Sequence, residues 1–217
     1  MTQALIITGG TRGIGAQVAL AAARLGWRMV LGYQNNRDRA EAMVAEIARA
    51  GGHAVAVAGE LADESAILRL FAAADREIGP VDRLVNSAGI IGPHGRIDAV
   101  AAAPLNDLFA VNITGTLLCC REAIRRMSTK HGGKGGAIVN LSSAASRLAG
   151  EGIRVNAVSP GVIDTEIQPP GRVERVGPQL PMKRVGRPEE VAASIMWLLS
   201  DEASYVSGAV LNVSGGR

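Results

Sequence analysis

Two hydrophobic patterns alternate along the chain: short runs of consecutive apolar residues, and longer segments in which apolar residues recur every three or four positions. The short runs predict buried strands, and the longer segments predict amphipathic helices. Strands are predicted at 4–7, 28–32, 54–58, 82–86, 137–141, 153–158 and 210–213, and helices at 16–25, 35–50, 63–78, 104–127 and 188–199, the fourth with a break near Asn112. This alternation indicates an α/β fold, a doubly wound parallel sheet in three α/β/α layers.

The first strand leads into a glycine-rich turn at 8–15 (TGGTRGIG), which opens the first helix. Glycines let the backbone turn tightly and approach a phosphate, and a free helix N-terminus can hold the anion. An ordinary βα turn is the alternative, but the glycines at positions 9, 13 and 15, between a strand and a helix, favour a dinucleotide site of the Rossmann type. A P-loop is excluded, because Ala16 and Gln17 stand where that motif needs Lys and Ser or Thr.

Composition narrows the class of protein. The 217 residues are 47% hydrophobic and 20% charged, which is typical of one globular domain, here 1–217. The net charge is +3, and its main concentration at 121–134 ends a predicted helix without interleaved aromatic residues, so we expect no nucleic-acid partner. The three histidines are far apart in the sequence, and we expect no metal site.

The cysteines and the hydropathy bear on the location of the protein. Cys119 and Cys120 are adjacent on a predicted helix, and we interpret them as reduced, small apolar residues. No apolar run approaches the length of about 18 residues that a membrane span needs, and no signal peptide is recognised. We therefore expect a cytoplasmic protein without a membrane partner.

Six segments, in a fixed order, resemble the classical short-chain dehydrogenase/reductase family. They are 8–15 (TGGTRGIG), 86–89 (NSAG), 111–112 (VN), 138–143 (IVNLSS), 159–165 (SPGVIDT) and 213–216 (VSGG). Each is weak alone, but together they extend the resemblance over nearly the whole chain. The resemblance implies hydride transfer between a nicotinamide cofactor and a carbonyl or alcohol of the sugar alcohol or oxoacyl type. It also implies a homo-tetramer or dimer, with 188–199 and 210–213 at one interface.

The same resemblance implies roles for individual residues. Ser143 matches the catalytic serine that hydrogen-bonds the substrate oxygen, and Asn112 matches the asparagine that holds a water in the proton relay. The cofactor-binding residues that it implies are Gly9, Thr11, Arg12, Gly13, Ile14 and Gly15 in the turn, Tyr33, Asn35 and Asn36 after the second strand, Glu60 and Leu61 at the adenine, Asn86, Ala88 and Gly89 after the fourth strand, and Pro160, Gly161, Ile163 and Thr165 at the nicotinamide amide. Two positions depart from the family pattern: Ser87 replaces an Asn, and Glu60 replaces an Asp.

The Tyr-x-x-x-Lys motif of the family is absent. In the family the Tyr exchanges the proton as hydride moves, and the Lys lowers the pKa of that Tyr and binds the ribose. Family spacing puts Asn156 and Pro160 where these two residues should stand. The only tyrosines are Tyr33 and Tyr205, and the only lysines are Lys130, Lys134 and Lys183.

Chain length points to the same gap. Only nine residues separate Ser143 from Ile153, whereas a parallel crossover with its helix needs at least about 10–12. Without that helix, we expect one apolar face of the fifth and sixth strands to be bare. We favour the interpretation that disordered active-site residues are missing from the 217, after about residue 150 and near 168, so that the whole protein exceeds 22.4 kDa. The alternative is a real deletion that leaves a non-catalytic dinucleotide-binding or scaffold protein.

The end of the second strand bears on the choice of cofactor. NAD enzymes of this fold usually carry Asp or Glu there, and the carboxylate repels a 2′-phosphate. Here the segment 33–36 (YQNN) contains no acid, and we expect Arg12, in the glycine turn, to lie beside the adenosine ribose. The planar guanidinium of arginine can donate two hydrogen bonds to the oxygens of one phosphate. We therefore expect NADP(H) to be preferred, with NAD(H) as a possible cofactor; Arg37 is close by but is also compatible with a solvated surface charge.

Overall fold

A single parallel sheet of seven strands runs through the computed structural model, which describes residues 3–92, 100–141 and 152–216. The strands in chain order are β1 (Ala4–Thr8), β2 (Arg28–Tyr33), β3 (His53–Ala58), β4 (Arg83–Asn86), β5 (Gly136–Leu141), β6 (Ile153–Pro160) and β7 (Val210–Val213). They lie in the order β3-β2-β1-β4-β5-β6-β7, and every pairing is parallel. The predicted doubly wound sheet is confirmed, and its order reverses between β1 and β4.

Helices cover both faces of this sheet. They are α1 (Gly13–Arg24), α2 (Arg37–Arg49), α3 (Glu64–Glu77), α4 (Ala102–Phe109), α5 (Thr116–Met127), α6 (Arg172–Val176) and α7 (Pro188–Leu199). Alternate residues of a strand point to opposite faces. Leu5 and Ile7 therefore pack in one core with α1 and α7, and Ile6 packs in the other with α3 and α5. The predicted α/β/α layering is confirmed.

Local sequence signals set the helix ends. The side chain of Asp63 caps α3 by accepting from the Ser65 N–H at 2.8 Å, and Asn36 caps α2 by accepting from the Arg39 N–H at 2.9 Å. Gly26 follows α1 with φ +71°, a conformation that glycine adopts without steric cost. The break expected near Asn112 is a π-helical segment, Ala110–Gly115, between α4 and α5. The short helix α6 carries no periodic pattern and was not predicted.

The pairing of β5 with β6 corrects one expectation. The two strands are parallel neighbours, in register from Gly136 opposite Ile153 to Leu141 opposite Val158. The apolar face that was expected to be bare is buried there: Ile153 is fully buried, and Ile138 and Val155 are no more than 4% exposed. These residues share a core with Met127, because α5 packs against β4 and β5. The connection between the strands, 142–151, lies outside the described residues.

A buried carboxylate on α5 organises the contact between α5 and α3. The Glu122 side chain is only 5% exposed and accepts hydrogen bonds from Arg121 at 3.1 Å, Arg125 at 2.8 Å and Arg126 at 3.1 Å. Arg126 also binds Asp75 of α3 at 2.7 Å. Burial raises the pKa of Glu122, but the hydrogen bonds from Arg126 and Arg121 outweigh it, so that the pKa is lowered overall.

Replacing this carboxylate should make stability less dependent on pH. We expect Glu122→Gln to lower the free energy of unfolding by about 1–2 kcal/mol at pH 7, because its arginine partners lose a charged acceptor. A lowered pKa in the folded state stabilises the protein above the unfolded pKa, and this stabilisation is lost as pH falls through the folded value. The difference between wild type and variant should therefore shrink below about pH 4.5, the ordinary value for Glu.

Urea unfolding at pH 7 and pH 4 measures this difference. The control is Glu41→Gln, which removes the same charge from an exposed pair with Arg37 and should cost less than about 0.5 kcal/mol at either pH. An equal loss at both pH values for Glu122→Gln would show that its charge does not contribute.

Candidate functional site

A cleft of about 600 Å³ opens at the carboxyl edge of the sheet, where the strand order reverses between β1 and β4. Ligands of doubly wound sheets bind at this point, because the loops on either side leave in opposite directions. The cleft is lined by the turn that follows β1 and by the segments at the ends of β2, β3 and β4. Thr165 and Ile167, beyond β6, close its far side.

The glycines of the turn have three different spatial roles. Gly9, at φ +65°, approaches the β4 loop so closely that a Cβ would lie 2.9 Å from the Ala88 Cα. Gly13, at φ +53°, faces Thr165 across the cleft, with 3.6 Å from an added Cβ to the nearest side-chain atom. Gly15 lets the first turn of α1 lie directly against the backbone at Gly9, because an added Cβ would lie 2.4 Å from the Gly9 carbonyl oxygen. Gly13 and Ile14, the first two residues of α1, line the cleft, and the N-terminus of a helix suits a dinucleotide pyrophosphate.

Most of the residues expected to bind a cofactor line this cleft. They are Gly9, Thr11, Arg12, Gly13, Ile14, Tyr33, Asn35, Asn36, Glu60, Leu61, Ala88, Gly89 and Thr165. Five others lie outside its lining, namely Gly15, Asn86, Pro160, Gly161 and Ile163. For Gly15 and Gly161 the reason is close packing against the backbone of Gly9 and Ser214.

Asn86 joins two strands and does not face the cleft. Its side chain is buried and donates to the Asn140 Oδ1 at 2.8 Å, across the pair β4–β5. The loop after β4 is instead held by Thr8, whose Oγ1 accepts from the Ser87 and Ala88 N–H groups, each at 3.2 Å. We did not single out Thr8 from the sequence; the signal is a buried hydroxyl residue at the end of the first strand.

The segment after β6 is fixed by backbone hydrogen bonds on both sides. Gly161 N–H donates to the Val213 carbonyl at 3.0 Å, and a Cβ there would lie 2.8 Å from the Ser214 Cα. The Val162 carbonyl and the Asp164 N–H both bind Gly186, at 2.9 Å. In a parallel bridge of this kind, the N–H and C=O of the middle residue, Ile163, point away from Gly186.

Asn112 ties the π-helical segment to the cleft. Its Oδ1 accepts from the Ile90 N–H at 2.9 Å, and its Nδ2 donates to the Ile90 carbonyl at 2.8 Å. Ile90 lines the cleft, as does Val111 beside Asn112. The side chain of Asn112 therefore positions the loop after β4. Ser143 lies outside the described residues, and Leu141, two residues before it, lines the cleft.

No Tyr and Lys among the described residues come together in the cleft to replace the missing Tyr-x-x-x-Lys. All tyrosines and lysines of the chain lie within the described ranges, and only Tyr33 lines the cleft. Tyr205 is fully exposed before β7. Lys130 and Lys134 lie between α5 and β5, at the amino edge of the sheet.

Arg39 is a cleft residue that the sequence did not single out. Its Nε donates to the Thr11 carbonyl at 3.0 Å, and a terminal nitrogen donates to the Glu166 Oε1 at 2.6 Å. Arg37 instead pairs with Glu41 at 2.7 Å and is not part of the lining. The sequence signal for this difference was the N-cap at Asn36. It places Arg37 and Arg39 in the first turn of α2, about 200° apart around the helix axis, so only one of them can face the cleft.

The other ionisable groups limit the kinds of reaction that the site can support. The hydrogen bond from Arg39 lowers the pKa of Glu166, so Glu166 is an anion at neutral pH. Burial raises the pKa of Cys119 to about 12 and that of Cys120 to about 11, so neither is a thiolate nucleophile. Within 3–92, 100–141 and 152–216, no three His, Cys, Asp or Glu side chains are grouped to hold a metal ion. No helix in the described parts of the chain is both long and apolar enough to cross a membrane.

Known proteins resemble the chain over almost its full length. It is 41% identical over 243 aligned positions to an uncharacterised oxidoreductase, YgfF, of Escherichia coli (strain K12), with 98% of each chain covered. It is 36% identical to an L-rhamnose 1-dehydrogenase (NAD(P)(+)) of Azotobacter vinelandii, covering 98% of this chain and 95% of that protein. A 3-oxoacyl-[acyl-carrier-protein] reductase of Synechocystis is 34% identical, with 99% and 96% covered.

Solved structures agree with these relatives. A dehydrogenase/reductase from Sinorhizobium meliloti superposes with a TM-score of 0.90 at 29% identity, over 100% of this chain and 95% of the other. A short-chain dehydrogenase from Burkholderia cenocepacia, in complex with NADP, has a TM-score of 0.88 at 26% identity, over 99% and 97%.

Family models account for the chain from end to end. The model for short chain dehydrogenase matches residues 3–151, and the model for enoyl-(acyl carrier protein) reductase matches 143–217. Together with the strand order and the glycine turn, these matches mean that the chain belongs to the classical short-chain dehydrogenase/reductase family, whose members are oxidoreductases.

Proposed function

We propose that this protein transfers hydride between NADP(H) and a carbonyl or alcohol substrate of the sugar alcohol or oxoacyl type. The observation that carries the proposal is the adenosine end of the cleft, where Tyr33, Asn35 and Asn36 offer no carboxylate while Arg12 and Arg39 line the same surface. A 2′-phosphate is stabilised by such cations, whereas an acid at the end of β2 would repel it. The rhamnose dehydrogenase and oxoacyl reductase relatives support the two substrate types.

The described residues suit a dinucleotide along the whole cleft. The turn at Gly9 and Gly13 and the start of α1 would hold the pyrophosphate, since these residues line the cleft. Glu60 and Leu61 would contact the adenine, and the main chain at Ile163 would hold the nicotinamide amide. The cofactor supplies or accepts the hydride. Ser143 would hydrogen-bond the substrate oxygen, and Asn112 would fix the loop beside it through its two bonds to Ile90.

Proton transfer in this proposal depends on a segment that the 217 residues lack. The alignment with the Escherichia coli relative has 243 positions, so at least 26 of them hold residues of the relative with no counterpart here. This difference supports a natural chain with a Tyr-x-x-x-Lys segment after about residue 150 and a shorter addition near 168. A cleft closed by such residues would exclude water and orient the substrate carbon.

A second candidate function follows from the same absence. If the 217 residues are the whole protein, the cleft retains its nucleotide-binding features but has no described Tyr and Lys pair for proton transfer. The protein would then be a non-catalytic dinucleotide-binding or scaffold protein. The two candidates differ in turnover and in the mass of the natural chain, and not in cofactor binding.

The proposal includes a cytoplasmic homo-tetramer or dimer. Exposed apolar side chains support it on two surfaces. Trp197 of α7 is 41% exposed and Val210 of β7 is 55% exposed, on adjoining elements. Phe109, Ile113 and Leu117 are each at least 50% exposed and recur every four residues from α4 to α5. Both cysteines are free thiols, as suits a reducing compartment.

Cofactor titration tests the proposal. We expect calorimetry to show tighter binding of NADP(H) than of NAD(H). Arg12→Ala and Arg39→Ala should each weaken NADP(H) binding by about 10-fold or more, because each removes a charge-assisted hydrogen bond to the phosphate. NAD(H) binding should change much less.

The matched control is Arg37→Ala, which removes a cation from the same helical turn as Arg39 but outside the cleft. Its NADP(H) affinity should remain within about twofold of wild type, since exposed charges contribute little. Equal or tighter binding of NAD(H) by the wild type would refute the proposal that the residues at the end of β2 favour NADP(H).

A further inference from the structure

An ion pair joins two elements that line the adenosine end of the cleft. Arg39, in the first turn of α2, donates to the Glu166 carboxylate at 2.6 Å and to the Thr11 carbonyl at 3.0 Å. Glu166 comes directly after Thr165, 127 residues along the chain from Arg39. All three partners line the cleft. The pair therefore links the glycine turn and α2 with the segment that follows the proposed nicotinamide-binding stretch.

A ligand anion can displace the Glu166 carboxylate from Arg39 at little cost. The side chains of Arg39 and Glu166 are 43% and 53% exposed, so water competes with each of them and the pair itself is weak. Glu166 carries one negative charge, held in the ionised form by Arg39. A phosphate monoester carries more charge and three acceptor oxygens, and it matches the planar guanidinium better than a single carboxylate oxygen does.

We propose that Glu166 is a specificity-determining residue, a carboxylate that occupies Arg39 in the nucleotide-free protein and is displaced by the 2′-phosphate of NADP(H). This inference rests on the proposed use of NADP(H). The 2′-phosphate takes the guanidinium and breaks the link to Glu166. NAD(H) carries no group that can replace the carboxylate, so it leaves the ion pair intact.

Two consequences follow from this exchange. Glu166 lowers the affinity for the 2′-phosphorylated nucleotide, since its displacement costs the energy of the ion pair. The exchange also couples recognition of the 2′-phosphate to the release of Glu166 from Arg39 of α2. Thr165 stays opposite Gly13, so the release begins after the residue that faces the pyrophosphate turn.

Binding of the adenosine half of the cofactor tests this inference directly. Adenosine 2′,5′-bisphosphate and 5′-AMP lack the nicotinamide, so their affinities do not depend on the catalytic segment. By calorimetry we expect Glu166→Gln to bind the bisphosphate about fivefold more tightly than wild type, the upper range for an exposed ion pair. Its affinity for 5′-AMP should remain within about twofold.

The double variant separates displacement from simple repulsion. In an Arg39→Ala background, Glu166→Gln should tighten bisphosphate binding much less, because only the weaker charge interaction of Glu166 with Arg12 is left to be released. Glu174→Gln removes the same charge from α6, outside the cleft, and should have no effect. Tightening of similar size with and without Arg39, or for both nucleotides, would mean that Glu166 only repels phosphate, and would overturn the inference.

The outcomes also distinguish this inference from the function on which it rests. A wild type that prefers the bisphosphate, with a Glu166→Gln variant of unchanged affinity, would refute the displacement and leave the proposed NADP(H) preference standing. A wild type that does not prefer the bisphosphate over 5′-AMP would refute both. Only tightening that depends mainly on Arg39 and on the 2′-phosphate supports the inference.

Discussion

A chain of these 217 residues should bind NADP(H) but turn substrate over at least about 10² times more slowly than a version completed with a Tyr-x-x-x-Lys segment, because general acid–base catalysis contributes about 10²–10⁴ in rate. The completing segment carries a Tyr and, four residues later, a Lys, and it is inserted after Gly150. Tyr33 is the only tyrosine of the chain that lines the cleft, and it lies at the end of β2. Turnover is measured with NADPH on a panel of sugars and oxoacyl thioesters.

Two controls accompany this comparison. In the completed chain, Ser143→Ala should lower turnover by about 10²–10³ while NADP(H) affinity stays unchanged, because its hydrogen bond strengthens as charge develops on the substrate. The intact mass of the natural protein should exceed 22.4 kDa. Equal turnover by the two chains would assign proton transfer to residues already present, and a mass of 22.4 kDa would favour the non-catalytic candidate.

Gly15→Ala should abolish nucleotide binding and destabilise the fold. The added Cβ would lie 2.4 Å from the Gly9 carbonyl oxygen and 3.1 Å from the Ser87 Oγ, so the turn or the helix must move. We expect the free energy of unfolding to fall by about 2–3 kcal/mol, the cost of overpacking. NADP(H) affinity should fall more than about 100-fold, since the displaced backbone positions the pyrophosphate. Urea unfolding and calorimetry measure the two effects.

The contrast with ordinary helix positions makes this prediction specific. Alanine is usually about 1 kcal/mol more favourable than glycine inside a helix, so a gain in stability is the expectation from propensity alone. Unchanged binding and stability in Gly15→Ala would show that the helix can shift without cost.

The hydrophobic pattern was enough to predict most elements. The bounds predicted for α7 and β7 are those observed, Pro188–Leu199 and Val210–Val213. A helix period or a short apolar run is a property of neighbouring residues, and proline and glycine mark the ends. The short helix α6 was missed because five residues are too few to show a period. The burial of Ile138 and Val155 was missed because it depends on where α5 lies across the sheet.

The sequence by itself determined the glycine turn, the succession of strands and helices along the chain, and the absence of Tyr-x-x-x-Lys. Each of these depends only on which residue types stand close together in the sequence. Only the tertiary structure decided which of two nearby arginines faces the cleft. Arg39, and not Arg37, reaches Thr11 and Glu166, since two residues along a helix point in nearly opposite directions and the partner comes from beyond β6. Likewise, Asn86 bonds to Asn140 because β4 and β5 are neighbours, a pairing that no local pattern contains.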